Sequence, residues 1–224
     1  MNRIVWVFRE QRSGSTWFTT RLANHLSRES HFFDIETNFT KIRFNEQEKF
    51  REKFFTNRVQ QKEDINKILN THDFLACKGL QNYENPIVFR VSRKNKIEQF
   101  FSLYLANLSY SNNYGMNIWS TKELENCPKY DNIIVSKKDI DFFIKVQKKN
   151  DFLWKSFANM YDTEIVYYED LLETYTSKVI PDVSFSLKNN YANETLTVKL
   201  PYNKKEIFLN YDFVEKYICK ELKI

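Results

Sequence analysis

The stretch Ile4-Val5-Trp6-Val7-Phe8, running through Arg9-Glu10 into Gln11-Arg12-Ser13-Gly14-Ser15-Thr16, decides how the chain begins to fold. Consecutive apolar β-formers from Ile4 to Phe8 predict a buried strand, and the polar segment around Gly14 ends it. From Ser15 onward Trp17, Phe18, Leu22 and Leu26 recur at helical spacing, with Ser13 or Ser15 placed to cap exposed N–H groups. A loop between a strand and a helix points its backbone N–H groups toward the positive end of the helix dipole, which suits an anion. Gly14 permits close backbone approach, Ser15 and Thr16 add hydroxyl donors, and Arg12 adds a permanent charge. The hexapeptide alone also reads as an ordinary polar turn capping a helix. It is not a Walker A loop, because the GxxxxGK[ST] spacing and its lysine are absent.

The same unit recurs further along. Ile87 to Val91 predicts a second strand that passes through Ser92-Arg93 into a helical pattern of Ile97, Phe100, Phe101, Tyr104, Leu105 and Leu108. Phe74-Leu75-Ala76-Cys77 and Ile165 to Tyr168 read as further short strands, and Glu169-Asp170-Leu171-Leu172 as a helix start with acidic groups at its positive end. Asp139 to Tyr161 has helical periodicity. Residues 41–70 read as charged amphipathic helices and residues 109–135 as a long polar loop. Strands alternating with helices predict an α/β fold with a mostly parallel sheet covered on both faces. Its ligands are expected at the carboxyl ends of the strands, in the turns after Phe8, Ile35 and Val91.

Composition narrows the function classes. The 224 residues are 42% hydrophobic and include 20 Phe and 13 Tyr but only 3 Gly and 4 Pro, which predicts one ordered domain over 1–224 without low-complexity segments. A formal charge of +5 favours anionic partners without choosing between a nucleotide and a nucleic acid. The lysine runs Lys137-Lys138 and Lys148-Lys149 read as solvated faces. Cys77, Cys127 and Cys219 are too few and too scattered for a disulfide framework and are expected to be reduced. The apolar run at Ile4–Phe8 is too short for a signal segment or a membrane span, so a cytoplasmic location is expected.

At its phosphate-loop segments the chain resembles the sulfotransferases that use 3'-phosphoadenosine-5'-phosphosulfate (PAPS), most closely the bacterial carbohydrate and glycolipid branch of trehalose type. Arg12-Ser13-Gly14-Ser15-Thr16 looks like the family's 5'-phosphosulfate loop, with arginine where many members have lysine. Arg93 and Ser102, in Arg-Lys-Asn-Lys-Ile-Glu-Gln-Phe-Phe-Ser, are similar to its 3'-phosphate motif. Val166-Tyr167-Tyr168-Glu169-Asp170-Leu171 looks like its late strand with a Tyr-Glu-Asp-Leu signature. These landmarks span residues 4 to 172 of the 224.

The resemblance implies a nucleotide-kinase-like, P-loop-type sheet that binds PAPS without a metal and transfers its sulfuryl group to a hydroxyl of a sugar, lipid or other small acceptor. Cofactor contacts are then expected from Arg12, Ser13, Gly14, Ser15, Thr16, Arg93 and Ser102, with Trp17 near the adenine and Arg12 also acting on the leaving group. Residues 41–70 and 109–135 would shape the acceptor pocket. In the trehalose-type branch a glutamate shortly after the first helix takes the acceptor proton, and Glu36 stands in a similar place. Asp34 and His72 are alternatives to it. His25 reads as structural, near the apolar face of the first helix, and Lys78 as the end of the strand that follows His72. None of the three histidines has metal-ligand spacing with another His or Cys. Two other classes stay open on the residues alone: a catalytically silent nucleotide- or RNA-binding protein, and a P-loop-type kinase. The first lacks an aromatic ladder interleaved with Arg or Lys, and the second lacks the Walker lysine.

Overall fold

Strand β1 (Val5–Arg9) is buried along its length as far as Phe8, and its alternate side chains sort into two cores. Ile4, Trp6 and Phe8 join Leu69, Val88, Leu153, Trp154 and Phe157 on one face. Val5 and Val7 join Phe18, Leu22, Ile68, Phe89 and Val166 on the other. A period of two sends neighbours to opposite faces, so a strand buried on both sides reads as a continuous apolar run. The computed structural model describes residues 3–32, 49, 52–53, 62–111, 130–186 and 203–224.

The chain divides into two compact units, Met1–Lys94 with Asn150–Asn189 and Asn95–Lys149 with Asn190–Ile224. The first unit holds a five-stranded parallel sheet: β1, β2 (Glu29–Phe32), β3 (Lys67–Thr71), β4 (Ile87–Ser92) and β5 (Asp162–Tyr167), in the order β2-β3-β1-β4-β5. Helix α1 (Ser15–His25) lies over one face through Phe18 and Leu22. A 3₁₀ helix at Phe74–Asn82 and the end of a long helix cover the other. The α/β class and the parallel, helix-flanked sheet expected from the sequence are therefore observed.

Two sequence expectations are corrected. Ile68 and Leu69, read as part of an amphipathic helix, lie in β3, where they face opposite cores; Lys62–Asn66 ahead of them is a 3₁₀ turn. A short apolar run buried on both sides carries no periodicity that separates strand from helix. Phe74–Cys77, read as a strand, opens the 3₁₀ helix because Asp73 caps it, its carboxylate accepting from Leu75 N–H at 3.2 Å. The correction moves His72 from the approach to a strand to the carboxyl end of β3. It also moves Lys78 off a strand end and onto the exposed helix surface, 3.6 Å from Glu52.

The second unit is helical. In it are α2 (Lys96–Ser111), the first part of α3 (Lys137–Phe157), and, after the one-turn α4 (Tyr168–Leu171) and the hairpin β6 (Tyr175–Thr176) with β7 (Ser184–Phe185) of the first unit, α5 (Lys204–Ile207) and α6 (Tyr211–Leu222). Phe100, Phe101, Leu105, Ile140, Phe143, Phe208 and Ile218 form its core. Asn95 caps α2 by accepting from Glu98 N–H at 2.9 Å, and the Glu98 carboxylate in turn pairs with Lys204. Among the described residues no helix is long and apolar enough to cross a membrane. Cys77 is buried, and burial pushes its thiol up to about 11, which keeps it protonated and unreactive.

Candidate functional site

Connections leave β1 and β4 in opposite directions. The chain runs from β1 to β2 at one edge of the sheet, and from β4 toward β5 at the other, so the carboxyl ends of these neighbours bound a topological switch point. Open parallel sheets bind ligands in that crevice. The loop 10–14 and the Ser92–Lys94 corner, singled out from sequence, flank it. Glu10 N–H donates to Val91 C=O at 3.0 Å and ties the two floors together.

The first loop has a backbone conformation suited to an anion. Arg12 and Gly14 both take positive φ, 60° and 72°, and Gly14 begins α1 with no side chain capping the helix. Such alternation lets successive N–H groups converge. Gly14 also makes room for Tyr168: a Cβ built there would lie 2.6 Å from the ring. Gly14→Ala should therefore destabilise the first unit by about 1–3 kcal/mol, from the left-handed φ and the displaced ring, and lower the urea midpoint accordingly. An unchanged midpoint would mean that the loop relaxes freely.

Arg9, which sequence reasoning missed, staples this loop. Its guanidinium donates to Ser15 Oγ at 3.1 Å, to Thr16 Oγ1, and to Asn70 Oδ1 at 2.7 Å. A hydroxyl that accepts from arginine keeps its own proton to give, so Ser15 and Thr16 are preset as donors. Ser13 is fully buried, and its hydroxyl donates to Glu10 C=O at 2.6 Å, so its side chain shapes the loop from inside. Trp17 packs edge-on to Phe185 at 5.6 Å, with Arg21 over its ring.

Arg12 and Arg93 converge from the two loops. Burial lowers the Arg12 pKa and the charge of Arg93 lowers it further; an arginine stays protonated regardless, so the pair repel each other. The Arg93 guanidinium lies 4.7 Å over the Tyr168 ring, its side chain is 15% exposed, and its Nε has no hydrogen-bond partner. A buried, unsatisfied guanidinium nitrogen is expensive, and a bound anion is one partner that can satisfy it. Two like charges beside an open anion-binding backbone fit a phosphorylated ligand.

His72, at the end of β3, hydrogen-bonds Arg9 C=O through Nδ1 at 2.7 Å. A carbonyl only accepts, so the neutral ring carries its proton on Nδ1 and its basic lone pair on Nε2. His31 lies in β2. His25 ends α1 and is exposed, a correction to its expected place near the apolar face. Glu36 and Asp34 lie outside the described residues, as do 33–48 and 112–129. Ser102 is half-buried on α2 in the second unit.

Beneath the loops, Glu10 (2% exposed) and Arg90 (5%) form a buried ion pair, with Arg90 Nε to Glu10 Oε1 at 2.9 Å and Asp151 on the other side of the guanidinium at 2.5 Å. Burial alone would lower the Arg90 pKa, and the two carboxylates more than reverse it. Glu10 looks like a candidate acid from its position, yet its charge is committed to Arg90. At the opposite, amino edge of the sheet a cavity of about 680 Å³ is lined by Arg3, Asn85, Tyr161 and Asp162. Its arginine is already spent on Asp162 at 2.6 Å and Asn85 C=O at 2.7 Å. Among the described residues no group of three or more His, Cys, Asp or Glu side chains is arranged to hold a metal ion. No protein-family model, curated protein or solved structure matches the chain.

Proposed function

We propose that this protein is a sulfotransferase that takes a sulfuryl group from PAPS and delivers it to a hydroxyl of a carbohydrate or glycolipid acceptor. The observation that carries the reading is the meeting of Arg12 and Arg93 at the switch point, with the Arg93 Nε buried and unsatisfied. A ligand with phosphates on both sides of one ribose brings two clusters of negative charge, and a guanidinium from each loop supports that reading. The nucleotide-kinase-like form of the sheet belongs to the same reading and is supported by the parallel order and the β1 loop.

PAPS supplies the activated sulfuryl group; the chain's own residues do the rest. The N–H groups at the start of α1, with Ser15, Thr16 and Arg12, hold the 5' end and stabilise charge that builds on the leaving phosphate. Arg93 grips the 3' phosphate. Sulfuryl transfer resembles phosphoryl transfer in its loose, in-line transition state, so positioning and charge stabilisation carry most of the acceleration. Proton removal from the acceptor is assigned to Glu36, with Asp34 as an alternative. A second alternative is His72, supported by its Nδ1–H bond to Arg9 beside the phosphate loop.

The test is calorimetric titration with adenosine 3',5'-bisphosphate, the desulfated product, and with ATP. Micromolar binding of the bisphosphate with weak ATP binding is expected. Equal binding of ATP would favour the kinase reading, and binding of neither would sink the nucleotide reading. With an acceptor in hand, Glu36→Gln is expected to lower kcat by roughly 10²–10⁴-fold and His72→Gln by less than tenfold, and the reverse order would move the base to His72.

A further inference from the structure

The first turn of α4 presses an acidic pair onto the cationic corner. Glu169 Oε2 accepts from Lys94 N–H at 2.9 Å, and its other oxygen lies 3.7 Å from Arg93 Nε. Asp170 pairs with Lys94 Nζ, which also lies 5.2 Å over the Tyr167 ring. A carboxylate bound to a main-chain N–H beside a guanidinium occupies the position of a ligand anion. It does so incompletely: at 3.7 Å it attracts Arg93 without hydrogen-bonding it, and Nε stays unsatisfied. The corner is thus an anion site half filled by the protein's own side chain.

We infer that Glu169 is a resident counter-ion which the nucleotide's 3' phosphate must displace, and which speeds departure of the spent nucleotide by returning to the corner. The inference rests on the nucleotide reading of the crevice. Its chemistry follows from the geometry. Without ligand, Arg12 and Arg93 repel each other, and Glu169 offsets part of that repulsion. A phosphate brings three acceptor oxygens and up to two charges, enough to satisfy Lys94 N–H and Arg93 Nε together. Once it is bound, the Glu169 carboxylate faces a like charge, which lowers affinity and favours release. Groups bearing on the exchange are Arg12 from the β1 loop, Tyr168 and Asp170 from α4 itself, and Lys94 beside Arg93.

Glu169→Gln tests this cleanly, because the amide oxygen can keep the Lys94 N–H bond while the charge is lost. Titration with adenosine 3',5'-bisphosphate is expected to show roughly five- to tenfold tighter binding in the variant, with the change in the dissociation rate seen by stopped flow. Adenosine 5'-monophosphate, which has nothing to place in this corner, should bind both proteins equally and serves as the check that the variant is folded. Glu169→Ala should behave in the same direction. Bisphosphate binding that is unchanged or weaker in both variants would overturn the inference and make Glu169 a prop for Arg93. Failure of the wild-type protein to bind the bisphosphate at all would instead remove the nucleotide reading, and this inference with it.

Discussion

Arg93→Ala is expected to weaken binding of adenosine 3',5'-bisphosphate by roughly a hundredfold, about 2.7 kcal/mol, while leaving adenosine 5'-monophosphate almost unaffected. Arg12→Ala should weaken both ligands by a similar factor, because Arg12 belongs to the loop proposed to hold the 5' end. The size follows from desolvation: the Arg93 side chain is 15% exposed and its Nε is unsatisfied, so a phosphate reaching it forms a charge-assisted bond away from bulk water. Stability should hardly move in Arg93→Ala, since the lost ion pair with Glu169 is long and partly exposed. Calorimetry on the two variants with the two nucleotides separates the corners. Equal loss of both nucleotides in Arg93→Ala would merge them into one site and contradict the proposed orientation.

The largest effect on stability is expected from Glu10→Ala. It leaves Arg90, 5% exposed beneath the site, without its buried partner, and removing one member of such a pair costs about 3–5 kcal/mol. That is a large share of the 5–15 kcal/mol typical of a folded domain, roughly estimated. Asp151, half-exposed on the far side of the guanidinium, retains some compensation and places the loss toward the lower end. Replacing both partners together, Glu10→Met with Arg90→Met, should recover most of it, because no uncompensated charge stays behind. Urea denaturation of the three proteins decides the matter. A double variant no better than Glu10→Ala would show that the ion pair contributes more than mutual neutralisation.

Much of this architecture is legible in the residues. β1 and β4 announce themselves as apolar runs ended by polar turns, β5 only through its second half, since it begins at the polar Asp162 and ends at Tyr167, with Tyr168 opening α4, and α1 and α2 as amphipathic repeats. The two loops at the switch point were found because their motifs follow predicted strands. What stayed hidden has physical causes. β3 is short and buried on both faces, so Ile68-Leu69 fits either period, and the error displaced His72 from the carboxyl edge where it lies. Arg9 reads as the solvated end of a strand, and only the parallel register that brings Asn70 alongside reveals the staple. The Tyr-Glu-Asp run is visible as a landmark, but its closeness to Lys94 spans 75 residues of sequence and no spacing encodes it.

The Arg9 staple has a thermodynamic consequence. Its contacts to Ser15, Thr16 and Asn70 set the loop in the unliganded protein, so on the proposed nucleotide reading the ordering entropy of that segment is charged to folding and not to association. Nucleotide capture at the 5' end should accordingly proceed as a single bimolecular step, fast and steeply dependent on ionic strength, with a small heat-capacity change. Relaxing the staple, as in Arg9→Met, would shift the same affinity toward slower, two-step capture in which the loop orders after contact.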